Sequence, residues 1–397
     1  MSIRGTVKRK DFDWLLDNLP NWKSPGDDLI PNELLKAAPA WLRNELYAAV
    51  NQVLRGGKLP AEWKYAIIKL LEKKAPASRM ANQRPVCCAR TVYKLVSYFV
   101  TSRMTKMLEH YKVLESTQEG FRSARSCQRQ AARYVDIIED AKRQKKKLFC
   151  IYVDWGNCFN SIDQDVLWRA MALAGFRPED IAVVSELYRD STFAVENPFG
   201  TTCPIPCKCG VKQGDVVSPI LFSLAINLLL RQLAAKGGGY RHSSGELFNV
   251  LAFADDLILI SDDLTKMQGL VSEVERFASW SGMWVNTAKS NVTAYDYARN
   301  EELITTDLTF NGKQFQYLAA SDSYKYLGFH ISLTLDWSKH KASVRDKISE
   351  TIEHLRGTIY SYGQVETMVR VCVIPLFRYS ASLVPWTDSE LQSLSTQ

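Results

Sequence analysis

Two adjacent aspartates, Asp255 and Asp256, interrupt an otherwise apolar run, Leu251-Ala-Phe-Ala-Asp-Asp-Leu-Ile-Leu-Ile260. Carboxylates held side by side at roughly 4 Å repel by about 4 kcal/mol at an effective dielectric of about 20. A divalent cation turns that repulsion into attraction. Phosphoryl transfer by two metals wants ions about 3.5–4 Å apart, and a single hairpin cannot cage them. A third carboxylate must come from a neighbouring strand end. Asp154 is the candidate, because it ends the apolar strand Leu148-Phe-Cys-Ile-Tyr-Val153. Two magnesium ions suit carboxylates combined with phosphate oxygens, with manganese as a substitute. The plain alternative for Asp255 and Asp256 is a solvated hairpin tip. A second adjacent pair, Asp262 and Asp263, is explained by capping of the helix that follows.

The elements around these residues can be read from their periodicity. Apolar runs flanking a two-residue polar break read as two buried strands meeting at a tight turn. Residues 11–60 read as amphipathic helices broken at Pro20, Pro25, Pro31, Pro39 and Pro60. A strand follows over Tyr65–Leu71, ending in Lys73 and Lys74, and a helix over about Thr91–Tyr111. Residues 165–190 read as helical, Thr192–Val195 and Thr201–Val211 as short strands. Ser218-Pro219 is a helix start, and Gly237 to Gly239 end that helix. Gly210 and Gly214 loosen the loop upstream, so that a flat ligand can come close. Asn311-Gly312 is a hairpin signal. From Trp337 the chain is helical, with a break at Gly357 and a kink at Pro375.

Arg125, Arg129 and Arg133 recur every four residues and on a helix form one stripe, matched to the phosphates of a nucleic acid. An ordinary solvated face is the plain alternative. The net charge of +7 over 397 residues is compatible with a polyanionic partner. Nine irregularly spaced cysteines point to a reducing, intracellular setting. Cys203, Cys207 and Cys209 lack the paired spacing of a zinc knuckle. The N-terminus has no apolar signal core. The longest apolar stretch, Ile220–Leu230, is too short to span a bilayer, so no membrane partner is expected.

Several short motifs, in order, resemble those of reverse transcriptases, especially the LINE-type enzymes of non-LTR retrotransposons. Phe253-Ala-Asp-Asp256 resembles the active-site box. Lys23 to Lys36 resembles the Pro-Gly-x-Asp segment, Arg84-Pro85-Val86 the Arg-Pro-Ile box, and Gln118-Glu-Gly-Phe-Arg122 the Gln-x-Gly-Phe-Arg box. Asp154 to Phe159 is similar to the first catalytic motif, and Gln213-Gly214-Asp215 with Ser218-Pro219 to the Gln-Gly motif. Lys289 follows the Gly282 to Asn286 pattern. Tyr326-Leu327-Gly328 resembles the primer-grip box, and Val373-Ile-Pro375 with Tyr379 the start of a thumb.

The resemblance implies an α+β right-hand polymerase fold. Its parts would be an N-terminal extension with the first fingers motif (1–59), fingers and palm (60–332) and a partial, truncated helical thumb (333–397). The implied partners are an RNA template, a DNA primer and dNTPs, in the nucleus for a eukaryotic element. Asp154 and Asp255 would bind both metals, with Asp256 completing the acidic, metal-holding cluster, and Lys289 would be a candidate general acid for pyrophosphate. Arg84, with Lys73 or Lys74, would clamp the triphosphate. Gln213 and Gly214 would lie against the nascent base pair, and Phe159 would exclude a ribose 2′-hydroxyl. Arg122, Arg125, Arg129 and Arg133, with Tyr326, Leu327 and Gly328, would hold nucleic acid. The chain departs from the pattern at Asn160, at Val216, at Asp28 and in having no proline before Lys73. No endonuclease or zinc-knuckle sequence is evident, which fits a fragment of a longer polyprotein. A nucleic-acid-binding remnant without catalysis, and a group II intron-like maturase, are the competing readings.

Overall fold

A computed structural model of the chain describes residues 2–73, 76, 82–304, 307–356 and 360–395. The chain divides into two compact units. One comprises Met1–Ser116, Trp155–Arg231 and Phe277–Trp284, the other Thr117–Asp154, Gln232–Arg276 and Val285–Gln397.

In the first unit, prolines stand immediately before two helices, Pro31 before Asn32–Lys36 and Pro39 before Ala40–Leu54. Proline cannot continue a helix but is tolerated where one begins. The helix Thr91–His110 lies where its apolar spacing places it. Strand Tyr65–Glu72 pairs antiparallel with Gln83–Ala89 and parallel with Thr192–Asn197. Two expectations need correction. The helical tract at 165–190 is two helices, Gln164–Leu173 and Pro178–Glu186. The strand expected over Thr201–Val211 shrinks to Gly200–Thr201 and Ile205–Pro206. Beyond Cys207 the backbone donors go elsewhere: Gly210 N–H to the Ile162 carbonyl and Val211 N–H to that of Phe159, both at 2.7 Å. They hold the turn after Asp154 instead of extending the sheet.

The helix Ser218–Lys236 starts at Ser218-Pro219 as expected. It is longer than the apolar run Ile220–Leu230 suggests. By length and composition it could cross a membrane, but it is mostly buried, as a core helix is.

The second unit is built on a sheet ordered Glu301–Glu302, Asn291–Asp296, Lys147–Val153, Asp256–Ser261, Val250–Phe253. Lys147–Val153 is central and antiparallel to both neighbours. It is buried at every position after Lys147, which explains its unbroken apolar sequence. The helix Cys127–Arg143 packs on one face through Tyr134, Ile137 and Ile138, joining Cys150, Tyr152, Ile258 and Ile260 in one core. The hydroxyls of Tyr134 and Tyr152 are hydrogen-bonded at 2.6 Å. Asp262 and Asp263 behave as capping residues. Asp263 accepts from Lys266 N–H at 2.9 Å, and Asp262 pairs with the Lys266 ammonium at 3.0 Å.

The C-terminal helices include Ser338–Arg356, Tyr362–Met368 and Ile374–Ser380. A π-helical turn, Val369–Val373, precedes Pro375. This is the irregularity expected where proline removes a helical donor. Gly357 lies outside the described residues. His340 is buried against the rings of Phe329 and Trp337. Burial, then the charges of His330 and Lys347, holds its imidazole down at about 4. The unfolded chain, with an ordinary histidine near about 6.5, then binds a proton that the folded chain refuses. Stability should fall as pH drops from about 6.5 to 4. Urea unfolding at pH 7 and pH 5 should show the loss, and His340→Gln should flatten it.

Candidate active site

The acidic hairpin lies beside the central strand, as the chemistry requires. Leu257 pairs with Val153 and Ser261 with Phe149. Continued by one residue, that register sets Asp154 opposite Asp256. Paired residues on an antiparallel ladder point to the same face. Alternation puts both with Cys150, Tyr152, Ile258 and Ile260, on the side covered by the helix Cys127–Arg143. The two hairpin aspartates are not equivalent. Phe253 pairs with Asp256, so the turn is Ala254-Asp255, and Asp256 already belongs to the second strand. Asp154 and Asp255 are half-buried and Asp256 is exposed. Tyr324 stacks on Tyr152, with centroids 3.8 Å apart and planes 9° off parallel. Burial first, then the negative charges of Asp256 and Asp154, pushes its phenol up to about 12.

Ala254 adopts φ +56°, a left-handed conformation costing a non-glycine residue roughly 1–2 kcal/mol. The segment after Thr117 holds the turn in place. Gln118 is fully buried. Its Oε1 accepts from the N–H groups of Ala254 and Gly120, both at 2.8 Å, and its Nε2 donates to the Ala254 carbonyl at 3.3 Å. Ala252 N–H bonds the Thr117 carbonyl at 3.0 Å, and Glu119 N–H the Ala252 carbonyl at 2.9 Å. Gln130 from the covering helix donates to both the Thr117 and Ala252 carbonyls at 2.9 Å. A methyl group on Gly120 would collide with the Ala254 nitrogen. The sequence motif Gln118-Glu-Gly120 is thus a strap across the acidic turn. Motif likeness flagged this box, but not what its residues do.

Asp154 is pinned through its backbone. Its N–H donates to Ser290 Oγ at 3.0 Å, and its carbonyl accepts from Asn286 N–H at 2.8 Å. Lys289 is exposed on the turn between those two residues. Tyr324–Tyr326 and Phe329–Ile331 form a hairpin closed by Leu327 at φ +47° and Gly328 at φ +88°. Two consecutive positive φ values give the turn geometry that joins twisted strands best. Tyr326 is buried. The Tyr379 hydroxyl donates to the Leu327 carbonyl at 2.6 Å and fixes the tip.

Arg122 bonds the Gln118 carbonyl at 3.1 Å. Arg125 precedes the helix, which starts after the N-cap Ser126, so only Arg129 and Arg133 form a helical stripe. All of Arg125, Arg129 and Arg133 turn toward one carboxylate, Glu119.

The remaining expected residues belong to the first unit. Arg84 is exposed on strand Gln83–Ala89, opposite Leu71. Lys73 is exposed just beyond the partner strand, its N–H bonded to the Asn82 carbonyl at 2.7 Å. Lys74 lies outside the described residues. The Gln213 carbonyl accepts from Cys87 N–H at 2.6 Å, holding the Gln213-Gly214 loop against that strand, with Gly214 exposed. Beneath it, buried Asp215 accepts from Tyr93 and Ser97 hydroxyls, each at 2.6 Å. Phe159 is half-buried and stacks on Phe222 with centroids 4.4 Å apart.

Among the described residues, no group of three or more His, Cys, Asp or Glu side chains is arranged to hold a metal ion. The donors Asp154, Asp255 and Asp256 are all carboxylates, the chemistry that suits magnesium or manganese.

A family model described as "Reverse transcriptase (RNA-dependent DNA polymerase)" matches residues 71–331, about two thirds of the chain. The RNA-directed DNA polymerase from mobile element jockey of Drosophila melanogaster is 25% identical over 355 residues, covering 87% of this chain and 37% of that protein. The probable RNA-directed DNA polymerase from transposon BS of the same species is 23% identical over 381 residues, covering 93% and 41%. The transposon TX1 uncharacterized 149 kDa protein of Xenopus laevis is 26% identical over 274 residues, covering 69% and 21%. The chain thus spans well under half the length of these curated relatives. Among solved structures, apo telomerase from Candida tropicalis is similar at 15% identity and a TM-score of 0.49, covering 90% of this chain and 66% of that one. The mixed sheets and helices are the α+β right-hand polymerase fold of the matched family. The chain belongs to the reverse transcriptase (RNA-dependent DNA polymerase) family, and the LINE-type likeness of its motifs is borne out by its relatives among non-LTR retrotransposon polymerases.

Proposed function

We propose that this chain is an RNA-directed DNA polymerase that adds deoxynucleotides to the 3′-hydroxyl of a DNA primer on an RNA template, releasing pyrophosphate. The observation that carries this reading is the pairing of Val153 with Leu257, which brings the strand end that leads into Asp154 beside the acidic hairpin, with Asp255 in its strapped turn. Asp154, Asp255 and Asp256 would hold magnesium, or manganese in its place, which when bound activates the attacking hydroxyl and stabilises charge on the phosphate. Lys289 is carried on the turn that pins the Asp154 backbone, and is the group assigned to deliver a proton to the leaving pyrophosphate. Arg84 and Lys73 supply positive charge for the triphosphate. Gln213 and Gly214 lie against the nascent pair. Tyr326, Leu327 and Gly328 form a rigid turn for the primer end, and Arg122, Arg125, Arg129 and Arg133 meet the nucleic-acid backbone.

Phe159 would exclude ribonucleotides by clash, since its ring is backed by Phe222 and cannot fold away freely. Phe159→Ala should lower the preference for dNTPs over rNTPs, in kcat/KM, by about tenfold or more. An unchanged preference would remove Phe159 from that role. Primer extension on primed RNA with dNTPs and magnesium tests the overall reading.

A further inference from the structure

The Gln213-Gly214 loop is held mainly by its two feet, Lys212 and Asp215. Asp215 N–H closes the turn onto the Lys212 carbonyl at 3.0 Å, and Gly214 takes φ +109°. Between the feet, Cys87 N–H docks on the Gln213 carbonyl at 2.6 Å. Beside that contact lies a cavity of about 340 Å³, lined by Ile68, Pro85, Cys87, Phe193, Val211 and Gln213 among others. An empty space gives the loop no atoms to pack on along that side.

Both feet are buried ions, which a folded chain keeps only with partners. The Lys212 ammonium donates to the Leu187 carbonyl at 2.9 Å and to the Tyr93 hydroxyl at 3.4 Å. It also lies over the rings of Tyr93 and Tyr188, 4.6 and 5.3 Å from their centroids. Asp215 accepts from the Tyr93 and Ser97 hydroxyls, each at 2.6 Å. The Tyr93 oxygen therefore serves both feet. Its single proton goes to Asp215, which leaves its lone pairs for Lys212. Burial, then the charge of Asp215, pushes this phenol well above its ordinary range, so the proton stays in place.

We propose that Tyr93 is a positioning residue for nucleotide selection: its hydroxyl ties Lys212 to Asp215 and so sets the Gln213-Gly214 loop against the base pair being formed. This rests on the polymerase reading for what the loop touches, but not for the docking of the loop itself.

The test compares Tyr93→Phe with Ser97→Ala in the full chain. Each removes one hydrogen bond from Asp215, and Tyr93→Phe also releases Lys212. If the hydroxyls served stability alone, function would follow melting temperature in both. Hydrogen exchange at the Cys87 amide, measured without substrates, reports docking of the loop. Tyr93→Phe should speed it about tenfold, the effect of roughly one hydrogen bond to a charged group, and Ser97→Ala should speed it less. On primed RNA, Tyr93→Phe should raise the dNTP KM about tenfold on the same grounds, with primer–template Kd unchanged. Its preference for matched over mismatched dNTPs should narrow. Lys212→Met unties the same bond from its other end and should show the same pair of changes. The proposal is overturned if Tyr93→Phe or Lys212→Met leaves Cys87 exchange at the wild-type rate. It is also overturned if Tyr93→Phe and Ser97→Ala shift the dNTP KM equally, or if Tyr93→Phe lowers only the melting temperature. Exchange is read without catalysis. Fast exchange in Tyr93→Phe, beside a wild-type chain that never extends a primer, would sink the polymerase reading and leave the tie between the feet standing.

Discussion

Asp154→Asn should reduce primer extension by at least about 10³-fold while leaving the chain as stable as before, or slightly more so. Asp154 follows Val153, which pairs with Leu257; one further step of that ladder would set it opposite Asp256, and paired positions bring side chains to within roughly 5 Å. Two carboxylates at that separation repel by about 3 kcal/mol at an effective dielectric of about 20, less where water screens Asp256. Asparagine keeps the size and removes the charge. Loss of activity with an unchanged or higher melting temperature is the signature of a site whose charges are kept for chemistry at some cost in stability. Magnesium should raise the melting temperature of the wild type and have little effect on the variant, because a ligand of the folded state stabilises by mass action. If Asp154→Asn lowers the melting temperature by many degrees, its carboxylate is a structural group and the assignment fails.

Gly120→Ala is expected to lower extension by about 10²-fold although residue 120 carries no functional group. Its added methyl has no room beside the Ala254 nitrogen, so the strap or the turn must move. Overpacking of this kind costs roughly 1–3 kcal/mol, and a displacement of about 1 Å at reacting groups can cost about 10²-fold in rate. Gln118→Ala should act in the same direction by a different route. It leaves the buried N–H of Ala254 without its acceptor, a loss of about 1–3 kcal/mol. Thermal melts and single-turnover extension on both variants would separate the two components. Normal kcat in a folded Gly120→Ala protein would show that the strap does not position the turn.

Much of the site was legible before the fold was known, for a physical reason. A strand ending in a carboxylate and a hairpin with two more are local patterns, and apolar runs of that length have few ways to be buried. The pairing of Lys147–Val153 with Asp256–Ser261 follows from that chemistry. The different status of Asp255 and Asp256 was not legible, because a one-residue change of register would exchange their places. The task of Gln118 was also hidden. Its partner Ala254 is 136 residues away, and a glutamine in a loop has no periodicity to betray its burial. The arginine spacing suggested a helical stripe open to solvent. Their convergence depends on Glu119, which lies outside the helix and could not be phased with it. The strand expected over Thr201–Val211 was lost because its backbone donors serve the Phe159–Ile162 turn, a long-range demand that local propensity does not register.

The most direct measurement compares the purified chain with its Asp255→Ala variant on a primed RNA template with dNTPs and magnesium. The wild type should lengthen the primer with template-matched deoxynucleotides. Asp255→Ala should bind the same primer–template and add none. Extension that survives Asp255→Ala would rule out catalysis by the acidic turn.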